Sequence, residues 1–145
     1  MIRRFGDVPA SGRRYQTRAG VYAVLPKGRD ILVTYFSGTD PEFQLPGGGV
    51  DPGESPLAAL HREVFEETGW KIAAPRRIGA FRRFTFMPEY DLWAEKLCTI
   101  FLAQPVLPLG DPLEPDHTAV WMPGEMAADQ LGNAGDRHFV RGLFF

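Results

Sequence analysis

Short apolar runs rich in β-branched residues, set apart by glycine and proline, surround one longer stretch of helical period. Residues 20–25 and 31–36 carry the strand signal, and Lys27-Gly28-Arg29-Asp30 between them predicts the turn of a hairpin. A short strand over 43–45 runs into Pro46-Gly47-Gly48-Gly49, a glycine-rich loop that Pro52-Gly53 closes. Ser55-Pro56 then reads as a helix start. The serine oxygen caps free backbone N–H groups, and proline occupies a position where its missing N–H costs nothing. Gly69 is the matching stop. Beyond it, 77–87 and 96–106 predict strands, 119–122 a short strand, and 124–130 and 136–144 short helices. The segment up to Gln16 has no period and predicts an N-terminal arm or edge segment. Together these elements predict an α/β fold with a mixed β-sheet, as one domain over residues 1–145.

Inside the helix, Leu57, Leu60, Val64 and Thr68 recur at three- and four-residue steps and form the stripe expected to face the core. Glu63, Glu66 and Glu67 form a second stripe, centred roughly 100° from the first at 3.6 residues per turn, on the flank beside the core. Like charges at these spacings weaken a helix by a few tenths of a kcal/mol per pair, roughly, so a compensating cation is expected. Mg²⁺, or Mn²⁺ in its place, suits an all-oxygen donor set and shares itself between carboxylates, water and substrate phosphates. The glycines at 47–49 let the backbone approach such an ion, with the Gly48 carbonyl as a further oxygen ligand. Arg62 lies one turn before Glu66 and is placed to pair with it.

Two other motif readings fail on their own residues. Gly48-Gly49-Val50-Asp51-Pro52-Gly53 has the glycine spacing of a phosphate-cradling loop, but Glu54-Ser55 follows where lysine is required. His61-Arg62-Glu63 lacks the second histidine of a zinc-protease helix, and His117 and His138 have no Cys or His partners at ligand spacing. The single cysteine, Cys98, sits in an apolar run, excludes an internal disulfide and reads as a buried structural thiol.

A net charge of −2 and a pI near 5.9 argue against a dedicated nucleic-acid binder and leave a small anionic ligand open. No apolar stretch is long enough to span a bilayer, and the first residues lack the apolar core of a secretory signal. The expected location is the cytoplasm, with no membrane partner.

Gly48-x5-Glu54-x7-Arg62-Glu63-Val64-x-Glu66-Glu67-x-Gly69-Trp70 resembles the signature of the Nudix hydrolases, matching at every polar and glycine position, with Trp70 bulkier than the usual final aliphatic. The resemblance implies an α/β/α sandwich, divalent metal at the signature loop and helix, and hydrolysis of a nucleoside diphosphate linked to another group. It implies Glu63 and Glu67 as principal metal ligands, with Glu66 and the Gly48 carbonyl assisting, and Glu54 and Arg62 as holders of the loop–helix geometry. The water's proton needs a carboxylate acceptor. Glu66 is the first choice, with Glu114 the alternative from the late loop that also carries Asp116.

Outside the signature the sequence says less. The favoured substrate is a nucleoside triphosphate, oxidised or not, or a nucleoside diphosphate derivative, ahead of an RNA 5′ end or a dinucleoside polyphosphate. The alternative is a non-catalytic Nudix-like module that senses nucleotide or binds protein. Phe84, Phe86, Tyr90 and Trp93 are placed to stack a base, although aromatics in strands more often fill a core. The arginine pairs 13–14, 76–77 and 82–83 read as solvated loop ends and strand edges before they read as phosphate contacts. A two-fold homodimer is left open, with the apolar 139–145 tail as the segment that would join it.

Overall fold

The computed structural model describes residues 2–144. Its elements run β1 (Arg3–Arg4), β2 (Gln16–Val24), β3 (Pro26–Lys27), β4 (Asp30–Phe36), β5 (Glu42–Gln44), β6 (Gly47–Gly49), α1 (Pro56–Thr68), β7 (Trp70–Met87), β8 (Leu92–Pro108), β9 (His117–Pro123), α2 (Gly124–Gln130) and α3 (Ala134–Phe144). One sheet has the order β1-β7-β8-β2-β6; in the other, β4 pairs with β3 and β5 and also with β9. The first sheet is mixed: β2 runs parallel to β8 and antiparallel to β6, and β7 is antiparallel to β8. Among the described residues no helix is long and apolar enough to cross a membrane.

Successive strand residues point to opposite faces, and here each face has its own core. Val24, Ile31, Val33, Phe81, Cys98 and Ile100 pack with Met122, Ala127, Leu131 and Val140, on the side of α2 and α3. Val21, Ala23, Leu25, Leu32, Phe101 and Ala103 pack with Ala59, Leu60 and Val64 of α1 on the other side. This is the helix–sheet–helix layering that the resemblance implied. Phe139 and Phe144 pack against the first of these cores, so their rings are used within the chain, and Phe145 lies outside the described residues.

Several expectations are corrected. The hairpin between 20–25 and 31–36 shrinks to Pro26–Lys27 against Asp30–Ile31, because β2 and β4 part into different sheets. β2 takes β8 as its main partner, over nine register pairs from Gln16↔Ala94 to Val24↔Leu102. Gly47–Gly49 is a strand rather than a loop, and Gly47 has φ 151° where a side chain would strike the Val21 carbonyl and the Tyr22 backbone. β7 starts at Trp70 rather than 77, because register shifts around Ala74 and Pro75 let the strand continue past the proline.

The ends of α1 follow the sequence. Ser55 accepts a hydrogen bond from the Ala58 N–H at 3.1 Å, and Gly69 closes the helix in the left-handed region at φ 76°. Its facing differs. Leu57 is 46% exposed, whereas Ala59, Leu60, Val64, Glu67 and Thr68 are buried, so the core face is rolled toward the acidic stripe. The roll is permitted where the helix meets β6, because Gly48 has no side chain to oppose Glu63.

Candidate active site

Arg62 organises the first turns of α1 against the loop before it. Its Nε and Nη2 donate to the two carboxylate oxygens of Glu54 at 2.7 and 2.8 Å, and Nη2 also donates to the Gly49 carbonyl at 3.2 Å. Nη1 donates to Glu63 at 2.9 Å and to Glu66 at 3.3 Å. Such a planar fork suits paired carboxylate oxygens, which a lysine cannot copy. The Arg62 hydrogen bonds, joined by the Asp51 N–H, hold the Glu54 carboxyl down at about 2. The expected Arg62–Glu66 contact is therefore present as one arm of a wider hub.

Glu63 and Glu67 stand beside β6 on the wall of a cavity of about 550 Å³, which Gly47, Gly48 and Gly49 also line. A β-carbon on Gly48 would lie 2.5 Å from Glu63 Oε2, so the carboxylate occupies the space the missing side chain leaves. Glu67 is 8% exposed. Its Oε1 accepts from the Gly47 N–H at 3.0 Å, and its Oε2 lies 3.5 Å from His117 Nε2. Burial, reinforced by Glu63, Glu114 and Glu66, pushes the Glu67 carboxyl up to about 8 despite the Gly47 hydrogen bond. Burial also raises Glu63, with Arg62 pulling the other way.

The late loop hangs from the same helix. The backbone N–H groups of Leu113 and Glu114 donate to the Glu66 carbonyl at 2.8 and 3.0 Å. Glu114 is brought close enough to raise both Glu63 and Glu67, while Asp116 has its carbonyl engaged by Ser37 and acts on His117 rather than on the helix acids. Of the two loop acids, Glu114 is the one whose charge reaches Glu63 and Glu67, although it is exposed and does not line the cavity.

Sequence reasoning set His117 aside as a metal ligand and missed its place beside Glu67. Thr34 Oγ1 lies 2.9 Å from His117 Nδ1, and burial lowers the imidazole pKa. A hydroxyl donating to Nδ1 leaves the proton on Nε2, the ring nitrogen that faces the Glu67 carboxyl. Nothing local marks His117, since the contact arises from the β4–β9 register pairing of Phe36 with His117. Also missed were Tyr22, Lys96, Asn133 and Asp136, which line the cavity from four separate elements or turns. Asn133 caps α3, accepting from the Asp136 N–H at 2.8 Å and donating to the Asp136 carboxylate at 2.9 Å.

The aromatic group does not form a core. Phe86, Tyr90 and Trp93 are 40, 58 and 37% exposed, and only Tyr90 among them lines the cavity. Arg82 and Arg83, as neighbours on a strand, point to opposite faces: Arg82 pairs with Glu95 at 3.8 Å, and Arg83 lines the cavity. Cys98 is buried, which pushes its thiol up to about 11.

The donor set fits a hard divalent cation. All candidate ligands are oxygens, the buried Glu67 carboxyl has no lysine or arginine paired with it among the described residues, and a glycine keeps the approach open. Among the described residues no three acidic, histidine or cysteine side chains are gathered into a cage. Mg²⁺ does not require one, because it keeps several waters and is shared with substrate phosphates.

Known proteins place the chain. The family described as NUDIX domain matches residues 14–143. A candidate 8-oxo-dGTP diphosphatase of Bacillus subtilis (strain 168) is 39% identical over 77 residues, which are 53% of this chain and 51% of the relative. An RNA pyrophosphohydrolase of Bradyrhizobium diazoefficiens is 35% identical over 81 residues, 52% of this chain and 44% of that one. The chain thus spans about half or less of the length of these curated relatives. In fold it resembles the MutT NUDIX hydrolase from Burkholderia pseudomallei, with TM-score 0.68 at 22% identity over 87% of this chain and 97% of the other. With the family matched over residues 14–143 and Gly48, Glu63 and Glu67 of the signature on one cavity wall, the chain belongs to the Nudix hydrolase family.

Proposed function

We propose that the protein is a pyrophosphohydrolase that uses Mg²⁺, or Mn²⁺ in its place, to cut a phosphoanhydride bond in a nucleoside diphosphate linked to another group. The observation that carries this reading is the placing of Glu63 and buried Glu67 against the Gly47–Gly48 backbone, inside a cavity large enough for a nucleotide. Glu63 and Glu67 are the principal metal ligands, with Glu66 and the Gly48 carbonyl assisting. The bound cation would neutralise charge on the anhydride and acidify the attacking water. Arg62, fixed by Glu54, holds Glu63 and Glu66 in position by hydrogen bonds. Glu66 accepts the water's proton, with Glu114 the alternative base from the loop anchored on the Glu66 carbonyl. The names of the two relatives, a diphosphatase and a pyrophosphohydrolase, support the reaction class and differ in substrate. No position of the acidic set is replaced, which disfavours a non-catalytic module.

The test is release of phosphate or pyrophosphate from nucleoside triphosphates, nucleotide sugars and dinucleoside polyphosphates with Mg²⁺, Mn²⁺ or EDTA, with Glu67→Gln alongside. Metal-dependent turnover that disappears in the folded variant is expected. Turnover in EDTA, or full activity in folded Glu67→Gln, would overturn the assignment.

A further inference from the structure

Arg83, Lys96 and Arg18 form one row across three neighbouring strands. Arg83 of β7 is the register partner of Lys96 of β8, and Lys96 is the register partner of Arg18 of β2. Side chains at paired positions share a face with their β-carbons about 5 Å apart, and like charges set directly opposite are destabilising. All three side chains line the cavity. Among the described residues none of the three forms an ion pair, and Arg18 Nε is buried without a hydrogen-bond partner. On the other face of the same strands, Arg82 does have its carboxylate, Glu95. The buried acid nearest the row in charge, Asp136, is already held by Asn133 and the Leu45 N–H. Three half-buried cations face one cavity, and the one buried acid whose charge reaches them, Asp136, can offset only one of the three, so the row is arranged for an anion from outside.

The row lies away from the acidic helix. Lys96 is two strands across from β6 and two residues down the register from the Gly20–Gly49 pair, which puts its Cα about 12 Å from the glycine strand at ~4.8 Å per strand and ~3.3 Å per residue. The Tyr22 ring lies between, 5.8 Å from Lys96 Nζ on one side and against Gly47 and Gly20 on the other. An anhydride held at Glu63 and Glu67 is therefore a nucleoside's breadth from the row.

We propose that the Arg18–Lys96–Arg83 row is a second anion subsite, which takes a phosphate ester carried by the substrate beyond its nucleoside. This rests on the reading of the cavity as a nucleoside polyphosphate site and narrows the substrate to one bearing a further phosphate on the sugar. That phosphate is either a monoester on a small nucleotide or the first phosphodiester of a 5′-polyphosphorylated strand.

Binding is read first in EDTA, by calorimetry, with guanosine 3′,5′-bisphosphate against guanosine 5′-monophosphate, neither of which contains an anhydride. The bisphosphate is expected to bind the wild-type chain about tenfold more tightly or better, as a charge-assisted contact would give, with the ratio falling toward one in Lys96→Met and Arg83→Met. Thermal melts keep the result interpretable. Removing one cation of the row is expected to leave the melting temperature of the free protein unchanged or higher, and added pyrophosphate is expected to raise the wild-type value more than the variant's. Hydrolysis then separates the sources, using guanosine 5′-triphosphate, its 3′-phosphate, and a 5′-triphosphorylated dinucleotide. A gain confined to the monoester assigns a small nucleotide, and a gain with the diester assigns a strand end. A wild-type ratio near one, or a ratio unmoved in both folded variants, overturns the subsite. Turnover without a binding preference would sink this inference alone, whereas a binding preference without any turnover would sink the hydrolase reading and leave the subsite standing.

Discussion

Gly47 and Gly48 are adjacent, and alanine at each should fail in a different way. At Gly48 the new β-carbon would lie 2.5 Å from Glu63 Oε2 and 2.6 Å from its Cδ. Ordinary contact needs about 3.5 Å, so the carboxylate must retreat by about 1 Å. The Gly48 backbone lies outside the positive-φ region and the obstacle is the free end of a flexible side chain, so the cost is one displaced rotamer, roughly 0.5–1.5 kcal/mol. At about 2–4 °C per kcal/mol for a chain of this size, the melting temperature should fall by only a few degrees. A misplacement of this order at a reacting centre can cost about 10²-fold, so kcat/KM should fall by roughly one to two powers of ten. Gly47→Ala meets backbone instead: φ is 151°, and the β-carbon would run into the Val21 carbonyl and the Tyr22 Cα. Strain of about 1–3 kcal/mol and a similar overpacking cost then draw on a total of about 5–15 kcal/mol. Gly47→Ala should therefore lose stability first, and Gly48→Ala activity first. Thermal melts and kcat/KM on the same preparations decide. A Gly48→Ala protein that melts as low as Gly47→Ala, or a folded one with wild-type kcat/KM, would refute the reasoning.

Other perturbations probe the remaining links. Glu114→Gln should flatten one limb of the pH–rate profile if the loop acid is the base, whereas Asp116→Asn should not; equal effects from both would remove the distinction drawn from their placement. Arg62→Lys keeps the charge but loses the fork to Glu54, so kcat should fall about tenfold or more while the protein still folds; unchanged kcat would show that the hub is not needed. Asp136 is 3% exposed, and burial lifts its carboxyl from 3.8 to about 6. The native state then holds that proton more tightly than the unfolded chain, so this contribution, of order 3 kcal/mol, is present in full below about pH 4 and is lost as the pH rises through 6. Asp136→Asn should flatten the fall in melting temperature between pH 4 and 7, and an unchanged slope would count against the assignment. Ser55→Ala removes the cap on Ala58 N–H and should cost about 1 kcal/mol, read by denaturant melts.

What the sequence revealed and what it hid divide along one physical line. Ser55, Pro56 and Gly69 act within a turn of themselves, so the ends of α1 could be read directly. The hub of Arg62 with Glu54, Glu63 and Glu66 also lies within one helix and its preceding loop, at spacings that a one-dimensional pattern preserves. His117 beside Glu67 and the Arg18–Lys96–Arg83 row depend on strand register between distant segments, which no local spacing records. Leu57 was misjudged for a related reason. Helical period fixes which residues share a face, but the roll of that face is set by what it packs on, here a strand of three glycines.

The pairing of β2 with β8 has a consequence for synthesis. Val24 and its register partner Leu102 are 78 positions apart, and every pair between these strands is separated by the same interval. A ribosome adding about 5–20 residues per second leaves β2 without that neighbour for roughly 4–16 s after it is made. During that interval Val21, Ala23 and Val24, buried in the finished protein, belong to a strand with β6 as its one possible neighbour and its β8 edge open. The window in which this protein is most exposed to aggregation or to capture by a chaperone should therefore close only when β8 has left the exit tunnel.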